Sequence, residues 1–168
     1  MDLFRKFNAF KLLKIDETTC LNWLKIIQSN YRSSNTYHNS THAADVMQAS
    51  AHFLTSTRCQ NLLAPLDMVA CLVAAAVHDV DHRGKTNQFL CNSMDPLAIF
   101  YNDKAVLENH HVAMGFQLTL AVDEKFNILK NLDDSEFKSF RNIVIEMVLA
   151  TEMSVHFDIV NKFINLAR

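Results

Sequence analysis

Glycine and proline are almost absent from this chain: each occurs twice in 168 residues. Ordinary usage would place about 12% of a chain in these two residues. A β-sandwich or barrel turns many tight corners, and those corners draw on glycine and proline. The scarcity therefore points to helices. With 49% hydrophobic and 20% charged residues, low-complexity disorder is excluded. The net charge of −2 provides no large basic field for nucleic acid. The expectation is one all-α unit spanning 1–168, long enough to bury a core, with no internal repeat, linker or charge block.

The four cysteines, Cys20, Cys59, Cys71 and Cys91, show no CxxC spacing, which favours reduced thiols over a disulfide framework. The N-terminus has neither a continuous apolar region nor a small-residue cleavage pattern, so it does not read as a secretory signal. Phe4, Phe7 and Phe10 beside Lys6, Lys11 and Lys14 fit a first helix packed on the domain better than a membrane-surface helix. The longest apolar run, Met68 to Val77, is too short to span a bilayer and suits a buried helix. A cytoplasmic chain without a transmembrane segment is expected. In that compartment the sequon Asn39-Ser40-Thr41 would meet no glycosyltransferase.

Helical periodicity runs through the chain. Residues 17–31 place Cys20, Leu21, Trp23, Leu24, Ile26 and Ile27 on one side. Residues 40–54 form a helix entered through Ser40 or Thr41, both good N-caps. Pro65 suits the first turn of the next helix, and Asp67 its positive end. That helix continues through Val77, apolar almost all round, and belongs at the centre of the core. Residues 83–87 break the pattern. Short helices follow near 87–92 and 96–101, and a longer one over 105–120. Residues 123–134 hold a polar connection, and a last long pattern covers 135–167, bent near Thr151.

Six of the eight histidines fall into three tight groups. If both are helical, His38 and His42 stand about one turn apart on one face; alone, such a pair reads first as ordinary surface or core histidines. The run His78-Asp79-Val80-Asp81-His82 ends the most apolar helix. Ionisable groups buried there are costly unless they pair or bind a metal. Imidazole suits zinc, and a carboxylate can also bridge to a harder ion such as magnesium. The competing reading is a helix end whose histidines meet the negative dipole. The third group is Glu108-Asn109-His110-His111, where Val106, Leu107, Val112 and Met114 flank the acid with apolar residues. A carboxylate so placed can hold a metal-bound water or a catalytic imidazole; otherwise it faces solvent.

These blocks, Tyr37-His38-Asn39-Ser40-Thr41-His42, His78-Asp79-Val80-Asp81-His82, Leu107-Glu108-Asn109-His110-His111 and Ala150-Thr151-Glu152-Met153, resemble the catalytic domain of the class I cyclic-nucleotide phosphodiesterases. Order and separation match over essentially the whole chain, and the first two blocks together are highly specific. Phe89-Leu90-Cys91-Asn92 and Val148-Leu149-Ala150-Thr151-Glu152-Met153 look most like the high-affinity, cAMP-specific eighth mammalian family, with the fourth and seventh as near alternatives. The resemblance implies a compact multi-helix fold of the HD phosphohydrolase type. It implies that His42, His78 and Asp79 ligate a tightly held zinc, and that Asp79 bridges to magnesium or manganese. His82, Glu108 and Thr151 would hold waters on the second ion. Hydroxide between the metals would attack phosphorus in line with O3′, and His38, oriented by Glu108, would protonate O3′. Tyr37 and Met153 would lie near the substrate pocket. The product would be a nucleoside 5′-monophosphate.

Two departures from the family stand out. Arg83 occupies a position where the family often has proline, with little expected effect on ligation. The family also uses a fourth ligand, an Asp on a later helix, and a purine-clamping glutamine. No acid after His111 has the matching surroundings, and Asp158 belongs to a preceding helix. Gln48 and Gln117 lie on earlier helices. The chain is thus expected to be the N-terminal half of the catalytic domain, and inactive or nearly so by itself. Two alternatives compete: a general HD-type metal phosphohydrolase, against which the Tyr-His-Asn-x-x-His block argues, and a non-enzymatic decoy or interaction module that associates through an exposed core face.

Overall fold

In the computed structural model, which describes residues 1–120 and 123–166, every regular element among the described residues is helical. The helices are α1 (Asp2–Lys6), α2 (Ala9–Leu12), α3 (Glu17–Ser29), α4 (Ser40–Leu54), α5 (Thr57–Leu62), α6 (Pro65–Val77), α7 (Asn87–Asn92), α8 (Pro96–Phe100), α9 (Val106–Leu120), α10 (Asp134–Leu149) and α11 (Met153–Leu166). A single 3-10 turn, Glu124–Phe126, sits between α9 and α10.

Helix starts follow local chemistry. Asp16 accepts from the Thr19 amide to cap α3, and Asp67 Oδ2 accepts from the Ala64 amide where Pro65 opens α6. Asp133 and Glu136 form a reciprocal capping box on α10. One expected cap is corrected: α4 is capped by Asn39, not by Ser40 or Thr41. Asn39 Oδ1 accepts from the Thr41 and His42 amides, while its Nδ2 donates to the Asn35 carbonyl. A second correction concerns the long C-terminal pattern. It is two helices, because α10 ends at Leu149 and α11 starts only at Met153. The expected end at 167 lies outside the described residues.

With so few glycines, corners fall to other residues. Asn8, Lys14, Asp81, Met94, Asn102, Asp103 and Ala105 all have positive φ. Apart from the two Asn and two Asp residues, which tolerate it best, Lys14, Met94 and Ala105 adopt this conformation, which costs an L-residue roughly 1–2 kcal/mol.

The core is organised around α6, where Val69, Ala70, Leu72, Val73, Ala74, Ala75, Ala76 and Val77 are buried. It packs between α4 and α10 and also touches α2, α3 and α9. Each fully buried Val or Leu contributes about 1.5–3 kcal/mol. Crossing α9 over the end of α6 needs a residue without a Cβ: one added at Gly115 would lie 3.0 Å from Val77 Cβ. One turn further, Thr119 Oγ1 donates to the Gly115 carbonyl and accepts from Trp23 Nε1, tying α3 to α9. This close crossing sets α9, with Glu108 and His111, beside the residues that follow α6. No helix among the described residues is long and apolar enough to cross a membrane.

Candidate metal centre

Helix α6 is apolar to its last turn, and then the chain delivers ionisable side chains into the core. His78 caps the helix. The next residues fold back tightly, with the Val80 amide donating to the Val77 carbonyl and the His82 amide to the Asp79 carbonyl. From the other side, the Asn39 cap places His42 in the first turn of α4 and His38 just before it. His42 Nε2 lies 3.3 Å from His78 Nε2 and 3.5 Å from Asp79 Oδ2, and His78 Nε2 lies 3.3 Å from Asp79 Oδ2. His78 Nδ1 donates to the Ala75 carbonyl, which leaves a lone pair on Nε2 when the ring is neutral. Two imidazole nitrogens and a carboxylate oxygen thus converge on one point. Such a donor set fits a divalent cation of the zinc type. Among the described residues no fourth His, Cys, Asp or Glu joins this group.

The electrostatics agree. Burial pushes the Asp79 carboxyl up, but the hydrogen bond and charge of His78, with His111 and His38 beyond, outweigh it and hold Asp79 at about 2. Burial pulls His78 down, and Asp79 outweighs that, so its pKa is raised. His42 is lowered by burial and by its neighbour His78.

A second group shares Asp79. Ligand atoms of Asp79, His82 and His111 lie within 4.8 Å of one another. The two histidines differ in what they offer. His111, 1% exposed, donates from Nδ1 to the Val80 carbonyl, leaving Nε2 as an acceptor 3.8 Å from Asp79 Oδ1. His82 accepts the Gly84 amide at Nδ1, so its neutral ring carries the proton on Nε2. Burial lowers His82 to about 4 and His111 to about 3, so both are neutral near pH 7. His82 Nε2 is therefore a donor, suited to holding a water or an oxyanion. The ring of His38 lies against that of His82, with centroids 3.9 Å apart.

These groups form one wall of a cavity of about 860 Å3, within the usual range for a small-molecule site. Of the residues expected from sequence, His38, His42, His78, Asp79, His82, Glu108, Thr151 and Met153 all line it. Tyr37 does not: it is 63% exposed, with its ring against His38 and His42. Glu108 Oε2 accepts from Asn87 Nδ2 at 2.8 Å, and burial raises its pKa. Among the described residues no hydrogen bond joins Glu108 to His38. Thr151 Oγ1 donates to the Val148 carbonyl. Sequence reasoning passed over Asn87, which also accepts the Leu107 amide at Oδ1 and so pins the start of α9. His111 stands out in the sequence only as one of a pair, since Glu108, Asn109 and His110 beside it are polar as well.

Comparison with known proteins places this geometry. Residues 37–168 match the family described as 3'5'-cyclic nucleotide phosphodiesterase. The chain is 53% identical over 165 residues to the human high affinity cAMP-specific and IBMX-insensitive 3',5'-cyclic phosphodiesterase 8A, covering 98% of this chain and 20% of that protein. It is 52% identical over 168 residues to the Drosophila melanogaster high affinity cAMP-specific and IBMX-insensitive 3',5'-cyclic phosphodiesterase 8, covering 99% of this chain and 18% of that protein. The phosphodiesterase domain of the RhoPDE fusion protein of the choanoflagellate Salpingoeca rosetta superposes with a TM-score of 0.90 at 35% identity, covering 96% of this chain and 50% of that one. The chain thus spans about a fifth of these curated relatives and half of that solved domain. With the all-helical fold, the His/Asp cluster and these matches in hand, the chain belongs to the 3',5'-cyclic nucleotide phosphodiesterase family.

Proposed function

We propose that these residues form the N-terminal portion of a catalytic domain that hydrolyses a 3′,5′-cyclic nucleotide, cAMP above all, to the nucleoside 5′-monophosphate. The observation that carries this reading is the convergence of His42 Nε2, His78 Nε2 and Asp79 Oδ2 at 3.3–3.5 Å on the wall of the cavity. The cAMP specificity of the relatives supports the choice of nucleotide. His42, His78 and Asp79 would hold zinc, and Asp79 would be shared with magnesium or manganese. When bound, two cations supply an acidified water and positive charge facing the phosphoryl oxygens.

The protein's own groups do the rest. His38 stands in the cavity against His82 and donates a proton to the leaving O3′. His82 donates from Nε2 and Thr151 offers its hydroxyl, both toward water in the second cation position. Glu108 faces the same cavity while Asn87 fixes one of its oxygens. Met153 and the more peripheral Tyr37 border the nucleotide. A cytoplasmic setting suits the four unpaired thiols.

Three ligands without a fourth hold a cation weakly, so the 168-residue chain alone is expected to turn over little substrate. The test compares cAMP hydrolysis, with magnesium present, by this chain and by a form extended to the length of the solved relatives. Hydrolysis by the extended form alone is the expected result. An extended form that folds, binds metal and leaves cAMP intact would overturn the reading.

A non-catalytic role has one observation in its favour. On α11, Phe157 and Phe163 are 73% and 67% exposed, an apolar face that could mediate association between copies. Light scattering decides: a monomer at high concentration removes this alternative.

A further inference from the structure

We infer that Asp81 is a positioning residue, which holds the turn carrying Asp79 and His82 in ligating geometry without touching the metal cluster itself. The inference rests on the metal reading of that cluster.

Asp81 is the acid in the His78–His82 run that points elsewhere. Its Oδ1 accepts from Arg32 Nε at 2.7 Å and its Oδ2 from His110 Nε2 at 2.8 Å. One carboxylate thereby joins the segment after α3 to α9, with the turn between them. Its backbone is also committed. The residue is left-handed, with φ 57, and its amide donates to the Asn30 carbonyl.

The neighbours on both sides repeat the pattern. Asn30, Tyr31 and Arg32 are consecutive, and each grips the turn or the helix end leading to it. Asn30 takes the Asp81 amide. Tyr31 Oη donates to the Ala76 carbonyl and accepts the Asp79 amide. Arg32 takes the carboxylate. On α9, His110 holds the Asp81 side chain while His111 holds the Val80 carbonyl. The turn is clamped from two directions, and Asp81 is the residue that both clamps share.

The arrangement explains a left-handed non-glycine residue at this place. Asp and Asn tolerate that conformation better than other side chains, so a glycine would satisfy the backbone but lose both clamps. Asp79 is two residues away and His82 is adjacent. A loosened turn therefore spreads the 3.3–3.5 Å convergence of His42, His78 and Asp79, and metal affinity falls although every ligand is still present. Supporting groups outside the ligand set commonly carry such effects.

The test uses the 168-residue chain and cobalt as a spectroscopic probe. Asp81→Asn keeps the shape and tolerates the left-handed backbone but removes the charge. It is expected to weaken cobalt binding by about 10- to 100-fold, the usual consequence of losing a supporting partner. His110→Gln, which keeps a donor near the Nε2 position, should stay within about threefold of the parent, while His110→Ala should fall with Asp81→Asn. Val144→Ala, a core change in α10, serves as the control for general loosening. It should lower the melting temperature in EDTA while leaving cobalt affinity within about twofold. Cobalt affinity unchanged in Asp81→Asn, or lost equally in Val144→Ala, overturns the inference. If the parent chain binds no cobalt, the metal reading of the cluster fails. The imidazole nitrogen NMR signals of His78 and His111 in EDTA then decide on Asp81: they shift in Asp81→Asn if it positions the turn, and unshifted signals overturn that role.

Discussion

The imidazole rings of His38 and His82 lie face to face, with centroids 3.9 Å apart and planes 9° from parallel. His38 precedes α4 and His82 follows α6, so the stack joins the two arms of the site. Because His82 takes the Gly84 amide at Nδ1, its orientation is fixed from behind, and it presents a flat surface against which His38 rests. Replacing His38 by Asn in the extended domain should lower kcat by about 100- to 10,000-fold, the range for a lost general acid. Metal content measured on the same preparation should not change. Metal lost together with activity would count against a proton-transfer role.

The close crossing of α9 over α6 gives a second prediction. Gly115→Ala places a methyl group 3.0 Å from Val77 Cβ, an atom bonded directly to the α6 backbone, so relief requires the two helices to part by a few tenths of an ångström. A destabilisation of about 1–3 kcal/mol is expected. Urea unfolding followed through Trp23, the sole tryptophan, measures it. Stability equal to the parent would show that α9 can move away freely.

Acid should weaken the metal-free fold well above the range where carboxylates titrate. In the unfolded chain His82 and His111 bind protons near 6.5, and in the folded chain only at about 4 and about 3. Between pH 6.5 and 4 the unfolded chain takes up more protons, so stability falls as pH falls. His78 works in the opposite sense. Its folded pKa is raised, so its contribution is present below 6.5 and lost as pH rises through the folded value. Stability in EDTA should therefore peak near pH 6.5 and decline by roughly 1–3 kcal/mol by pH 5. A flat urea-midpoint profile over that interval would contradict the assignment.

Arg83 stands where the family resemblance leads to an expectation of proline, and its side chain is poorly accommodated. Its Nε is buried without a hydrogen-bond partner. Its amide makes no backbone hydrogen bond outside helices, so proline there forfeits no such bond. Arg83→Pro should raise stability by about 0.4–1 kcal/mol through the unfolded state, read as a shift in melting temperature. A drop would show that the local φ does not suit the ring.

The sequence made the helices legible where periodicity and caps agreed. Pro65 and Asp67 open α6 as expected, and its all-round apolar pattern identified the central helix. Boundaries set by competing caps were harder to read. Asn39 won over Ser40 and Thr41 because it also reaches back to Asn35, a contact that depends on how the preceding loop folds. The break at 150–152 was legible only as a bend, since residues on either side keep helical composition. For the site, spacing brought forward the ligand candidates, because His78 and Asp79 are adjacent and His38 and His42 are four residues apart, although His38 lies before α4 and the two do not share a helical face. The supporting groups were invisible for a different reason. Arg32, Asp81 and His110 are separated by 49 and 29 residues along the chain, and no local pattern marks side chains that meet only after folding. Asn87 and Glu108 meet across 21 residues in the same way.

The positive φ angles at Lys14, Met94 and Ala105 carry an implication for engineering. Most proteins are stabilised by removing glycine, because a flexible residue costs entropy on folding. Here the sign reverses at these corners. The left-handed conformation costs an L-residue roughly 1–2 kcal/mol, whereas glycine forgoes only about 0.5–1 kcal/mol of entropy. A variant with glycine at Met94 and Ala105, leaving Lys14 and its ion pair to Glu136 in place, would gain thermal resistance with the cavity untouched, since neither lines it. The amino acid this chain almost dispenses with is the one that could toughen it.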